Sequence, residues 1–305
     1  MEDFNGDGYL DVVISSTLVE DSLHYYENDR HGHFIDKTKA SHLDQIKNVL
    51  NMSQTDYNND RRVDIYVSRR NSRGLNRKLE VFNSLLRNNG DGTFTDVTEE
   101  VGLKGEPNSN VASAWADYDN DGWLDLFVCN ENRGPDLFHN EHGHFRQVIQ
   151  SSGITNSGIC GGAVWGDVNN DGLPDLFLTN FNAPNQLYIN QGNGRFVPSP
   201  QPLLESGPRP SYNAWFFDYD NDGKLDLYLV QNAGTNSSNR LFHQEADGHF
   251  KDVSAGSGLD VTGYGMGVAV GDVMTGETAG EVVESKHPAF KPGDTVTAPS
   301  GWQLY

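Results

Sequence analysis

Five stretches of this chain place side-chain oxygens at positions 1, 3, 5 and 9 of a nine-residue loop. They are Asp3, Asn5, Asp7 and Asp11, then Asp56, Asn58, Asp60 and Asp64, then Asp117, Asp119, Asp121 and Asp125. Asp167, Asn169, Asp171 and Asp175 make the fourth, and Asp218, Asp220, Asp222 and Asp226 the fifth. Four oxygens closing on one point within so short a loop form a cage for a hard cation, and calcium is the natural occupant. A backbone carbonyl at position 7 would complete the donor set. Position 6 is Gly8, Gly122, Gly172 and Gly223, where a sharp turn wants φ > 0. The second loop carries Arg61 there and Arg62 next, so strain and positive charge mark it as the weakest site or an empty one.

The EF-hand shares donors at positions 1, 3 and 5 and a glycine at position 6, but it also needs a bidentate Glu at position 12 and flanking helices. Position 12 here is Ile14, Val67, Val128, Leu178 or Leu229, and the flanks alternate like strands. Any one loop could be a polar turn built from Asp and Asn. Five in register argue for a shared purpose.

The elements that must position these loops recur with them. Successive loops start at residues 3, 56, 117, 167 and 218, and Asp272 follows at a similar interval. A period near fifty residues with several short strands per unit predicts an all-β propeller of four-stranded blades. In one unit Val111–Trp115 precedes the loop, Leu124–Val128 follows it, and Asp136–His139 and His144–Val148 supply the third and fourth runs. The third run recurs as Gln186–Ile189 and Arg240–His243, and the turn before the fourth as Asn89–Phe94, Gln191–Phe196 and Ala246–Phe250. Trp115, Trp165 and Phe216, just before their loops, are expected in the core between blades. The first unit has no strand ahead of its loop, and residues 265–271 resemble the missing one, so they could close a ring.

The chain has 305 residues and a formal charge of −21, which argues against a nucleic-acid partner because phosphates need a basic footprint. Seventeen of its aspartates lie in the five loops, so much of the acidity reads as ligand rather than as solubilising surface. No apolar run reaches membrane-spanning length. No signal peptide precedes the first loop, and we read the true N-terminus as missing. Cys129 and Cys160 could pair or stay as two buried thiols; both readings stand at this point. His33, His144 and His249 precede the fourth-run Phe in a slot that elsewhere holds Thr93 and Arg195, which makes it a solvated strand face. There is no Gly-x-Ser-x-Gly elbow. Asn51 and Asn236 head glycosylation sequons, and Pro198 to Pro210 reads as a long surface loop.

The loops resemble FG-GAP/VCBS repeats, the Asp-x-Asn/Asp-x-Asp-Gly-x-x-Asp propeller units also found in integrin α chains. Asn88 to Thr98 followed by Gly102 and Leu103 is more specifically similar to the cartilage-acidic-protein/ASPIC–UnbV group. The resemblance covers about residues 1–272. It implies a β-propeller, usually of seven blades, secreted or at the cell surface, with structural calcium and a part in adhesion or recognition. Only five full units are visible, so the expected molecule is part of a larger propeller, and Arg61 is the departure from the family's loop.

The tail differs. Gly280 to Val296, then Gly301-Trp302-Gln303, resembles the N-terminal barrel of zinc-independent medium-chain reductases. The break falls in mid-loop between Asp272 and Met274, so residues 273–305 read as an unrelated, chimeric and poorly packed segment. A reductase needs a glycine-rich turn after a strand in a dinucleotide fold, and none is present. The expectation is therefore a monomeric, non-enzymatic, calcium-binding module that recognises a protein or glycan outside the cell. A reductase, or a propeller enzyme using calcium, is the alternative.

Overall fold

The computed structural model describes residues 1–16, 21–69, 82–105, 110–201, 204, 210–231, 238–259, 279–281 and 295–297. The first sheet has three strands, β1 (Val12–Ile14), β2 (His24–Asn28) and β3 (Phe34–Asp36). Four four-stranded sheets follow. The second is β4 (Val49–Thr55), β5 (Asp64–Arg69), β6 (Ser84–Asn88) and β7 (Phe94–Asp96). The third is β8 (Asn110–Ala116), β9 (Asp125–Asn130), β10 (Asp136–Glu141) and β11 (His144–Gln147). The fourth is β12 (Cys160–Gly166), β13 (Asp175–Asn180), β14 (Gln186–Asn190) and β15 (Phe196–Ser199). The fifth is β16 (Ser211–Phe217), β17 (Asp226–Gln231), β18 (Arg240–Gln244) and β19 (Phe250–Asp252).

Within each sheet the strands pair antiparallel with their sequence neighbours, as propeller blades do. The first strands of neighbouring blades lie side by side: β4 by β8, β8 by β12, β12 by β16. Each of the last four nine-residue loops is the hairpin between the first and second strands of its blade; among the described residues the first blade has no opening strand ahead of its loop.

Why the blades stack follows from the pleat. The second strands are buried along their whole length in β9 and β13, so both faces are covered. Successive side chains point to opposite faces of a strand. Leu126 and Val128 accordingly join Tyr66 and Leu85 of the preceding blade, whereas Phe127 and Cys129 join Leu176 and Tyr188 of the following one. The same split sends Leu178 backward and Phe177 forward, to Leu227 and Phe242. Four apolar clusters result, each shared by two successive blades.

Trp115 packs edge-on against Tyr66 of the previous blade and Phe145 of its own. Trp165 stacks on Tyr118, and Phe216 meets Phe177 edge-on, so the aromatics before the loops are inter-blade core. Cys129 and Cys160 are joined as a disulfide between β9 and β12, Cα atoms 5.2 Å apart, which resolves the two readings of that pair. The fourth strands are half-exposed: Phe145 is buried between exposed His144 and Arg146, and His33 and His249 are exposed likewise.

Asn51 lies in β4. Pro198 departs from expectation. It sits in β15, paired with Tyr188, rather than opening a loop; an outer strand tolerates proline because one edge needs no donor. A four-residue helix, Ile149–Ser152, follows β11 and was not foreseen. Residues 279–281 and 295–297 pair as a two-stranded antiparallel sheet. Asn236, residues 265–271 and the rest of the tail lie outside the described residues.

Because each blade is buried only against its neighbours, damage at one interface should be felt there in full. Phe177, wholly buried between the fourth and fifth blades, tests this. Phe177→Ala is expected to destabilise the chain by about 3–5 kcal/mol in chemical denaturation. A loss under about 1 kcal/mol would contradict a packed interface there.

Candidate metal centres

Each loop is closed by its own carboxylates. The position 1 aspartate accepts from the position 5 amide at 2.9–3.1 Å and from the position 6 amide at 2.7–2.9 Å in all five copies. Position 5 accepts from the position 7 amide at 2.9 Å in every copy. Gly8, Gly122, Gly172 and Gly223 have φ between 84° and 90°, and Arg61 takes the same left-handed turn at 67°. That conformation is costly for a side-chain-bearing residue, as the sequence of the second loop implies.

Position 9 opens the second strand of each blade. Asp11, Asp64, Asp125, Asp175 and Asp226 are all 0% exposed. One oxygen accepts from the last or next-to-last amide of the third strand: Asn28, Asn88, Asn140, Asn190 or Gln244, at 2.7–2.9 Å. In four loops the other oxygen accepts from the position 2 amide at 3.0–3.2 Å. Burial pushes Asp64 up to about 7 and Asp175 up to about 6, and raises Asp125 and Asp226 in the same direction. A buried carboxylate in that situation is short of positive charge.

The loops are also tied across blades. The side-chain amides of Asn140, Asn190 and Gln244 donate to the position 2 carbonyl of the preceding loop, at Tyr57, Tyr118 and Val168, over 2.7–2.8 Å. Position 4 reaches forward: Asn59, Asn120 and Asn170 donate to the position 6 carbonyls of Gly122, Gly172 and Gly223 at 2.8–3.1 Å. The first loop has Gly6 at position 4 and cannot make this bond.

All the metal ligands expected from sequence sit in these five loops. In the third, Asp117, Asp119 and Asp121 bring oxygens within 4.8 Å of one another, and Asp218, Asp220 and Asp222 do so in the fifth. The other three loops carry an asparagine at position 3, whose oxygen accepts from the position 5 amide at 3.0–3.1 Å. Asp119 Oδ1 is buried without a hydrogen-bond partner among the described residues. Converging oxygens, raised carboxylates and an orphaned oxygen together fit a hard cation.

Three cationic side chains contend for position 5. Arg62 lies 3.8 Å from Asp60, the competitor expected for the second loop. Arg30 donates to Asp7 at 3.1 Å and Lys224 to Asp222 at 2.5 Å, and neither was foreseen. Two histidines also escaped the sequence reading: His139 Nδ1 is 3.1 Å from Asp125, and His243 Nδ1 is 3.0 Å from Asp226. A signal was there, because both end the recurring Leu-Phe-His triplet of the third strand.

The Asn140 amide joins its own blade to the preceding loop, donating to Leu124 as well as Tyr57. Asn140→Ala removes both donors and should cost about 1–3 kcal/mol in denaturation. No measurable loss would refute the inter-blade tie.

Residues 256–305 match the family described as the N-terminal domain of oxidoreductase. The NADPH-dependent curcumin reductase of Escherichia coli (strain K12) is 48% identical over 46 residues, 15% of this chain and 13% of that protein. Among solved structures, the V. cholerae biofilm matrix protein Bap1 shares 14% identity at a TM-score of 0.42, covering 83% of this chain and 38% of Bap1. BBS1N, solved in complex with ARL6DN, shares 10% identity at a TM-score of 0.43, covering 77% of this chain and 60% of that one. The chain thus spans only part of each of these proteins. The FG-GAP-like repeat family matches residues 3–67, 56–128, 117–178, 167–229 and 218–274, five overlapping matches of which one starts at each loop. The chain belongs to the FG-GAP-like repeat family.

Proposed function

We propose that the chain is a non-enzymatic recognition module that works outside the cell, with calcium as its structural ion. The wholly buried carboxylate at position 9 of each loop carries this reading. In the third and fifth loops it comes within 4.8 Å of the position 3 carboxylate. Calcium would be held by the side chains of positions 1, 3, 5 and 9 in each loop and would supply the charge that the buried carboxylate lacks. Small oxygen cages of this kind on extracellular modules hold calcium in the range of about 0.1–1 mM, which suits calcium-rich fluid. The inter-blade disulfide also favours an oxidising compartment. Among the described residues no helix is long and apolar enough to cross a membrane. The partner is a protein or a glycan, bound by loops that the rigid blades present; the net charge of −21 favours a partner that is not itself acidic.

The test is calorimetric. Millimolar calcium should raise the Tm of the full chain, and a chelator should reverse the gain. An unchanged Tm would overturn the calcium reading. The gain should also depend on pH. Ligand carboxylates must be ionised to bind, and burial holds Asp64 and Asp175 above the ordinary 3.8. Protons therefore compete as pH falls, and the calcium-induced gain should shrink between about pH 7.5 and about pH 5.5. A gain that grows on acidification would contradict these carboxylates as ligands.

The tail supports a second reading, reduction with NADPH, on the 48% identity to the curcumin reductase. The matched segment is 13% of that enzyme's length. We expect no NADPH oxidation with an enone substrate, and measurable turnover would favour the second reading.

A further inference from the structure

The third-strand slot opposite position 9 differs among the repeats. It lies one residue beyond the pairs Val12↔Tyr26, Ile65↔Leu86, Leu126↔Phe138, Leu176↔Tyr188 and Leu227↔Phe242. It holds Glu27, Arg87, His139, Ile189 and His243 in turn. Histidine stands there only in the two repeats whose position 3 is aspartate, Asp119 and Asp220. The repeats with asparagine at position 3 have none. Within one chain, then, an added imidazole goes with an added carboxylate.

The two clusters share one geometry. His139 Nδ1 lies 3.1 Å from Asp125 Oδ1 and 3.5 Å from Asp119 Oδ2. His243 Nδ1 lies 3.0 Å from Asp226 Oδ1 and 3.6 Å from Asp220 Oδ2. In each cluster the three ligand atoms fall within 4.8 Å of one another. Donors bound to one zinc ion at about 2.0–2.2 Å stand roughly 3.0–3.6 Å apart, so the observed spacings suit a shared metal. Both rings are largely buried and backed by a tyrosine, Tyr118 at 6.0 Å and Tyr219 at 5.9 Å between centroids, which limits their movement. Asp119 Oδ1 borders the first cluster and accepts no hydrogen bond among the described residues.

Calcium prefers oxygen donors throughout, whereas one imidazole with two carboxylates suits a borderline dication. We propose that the third and fifth repeats bind a first-row transition-metal dication such as Zn2+, through Asp119, Asp125 and His139 and through Asp220, Asp226 and His243. At these two repeats zinc would compete with calcium for the position 3 and position 9 carboxylates, whereas the other three repeats would take calcium only. This rests on the reading of the loops as cation sites and adds a difference in metal class among them.

Equilibrium dialysis of the full chain against ZnCl2 in about 1 mM calcium, with elemental analysis of bound metal, tests the proposal. The native chain should retain two zinc ions, either single variant, His139→Gln or His243→Gln, one, and the double variant none. Glutamine keeps an N–H that can reach the carboxylate, and circular dichroism with calcium uptake reports on folding. A gain-of-function chain, Asn169→Asp with Ile189→His, should retain three. Zinc retained undiminished by the double variant would overturn the proposal, as would a native chain that takes up calcium but no zinc. A native chain that takes up neither metal would defeat this proposal and the calcium reading together.

Discussion

A carboxylate shut away from water sits at the root of every blade, and it is ionisable. Burying it costs energy that hydrogen bonds only partly offset. The position 9 aspartate accepts one amide from the third strand and, in most loops, another from position 2, so it joins a hairpin to the sheet behind it. Those bonds leave its charge uncancelled, which is why burial raises Asp64 and Asp175 toward neutral pH. A cation held by positions 1, 3 and 5 would supply what the amides cannot.

The same junction reaches beyond one blade. Asn140, Asn190 and Gln244 each place a backbone amide on their own position 9 carboxylate and a side-chain amide on the preceding loop. Asn59, Asn120 and Asn170 tie the second through fifth loops edge to edge. Apolar clusters between blades hold the sheets together below, and the loops form a hydrogen-bonded rim above. A cation in one loop would therefore stiffen its neighbours without touching them, as expected for an array coupled only to nearest neighbours.

Much of this was readable from sequence because it is local. Asp117 to Asp125 declares its donors within nine residues, and the alternation of Leu124, Leu126 and Val128 declares a strand; that both of its faces are buried shows only in the structure. What escaped is whatever depends on register or on the next blade. His139 lies fourteen residues from Asp125, and only the β9–β10 pairing sets them side by side. Arg30 meets Asp7 across 23 residues, and Asn140 meets Tyr57 across 83. The disulfide was undecidable for the same reason: Cys129 and Cys160 abut only because β9 and β12 belong to adjoining blades. Pro198 was misjudged because proline is ambiguous between a loop and an outer strand.

The most direct test of this account is amide hydrogen exchange with and without calcium. The informative amides are those of Asp121, Gly122 and Asn140, which hang on the third loop's position 1 and position 9 carboxylates. Calcium should slow their exchange, and that of Asn190 in the next blade, well beyond any change in the outer strand β11. Exchange that is the same with and without calcium would contradict the claim that a cation on these carboxylates braces the blades.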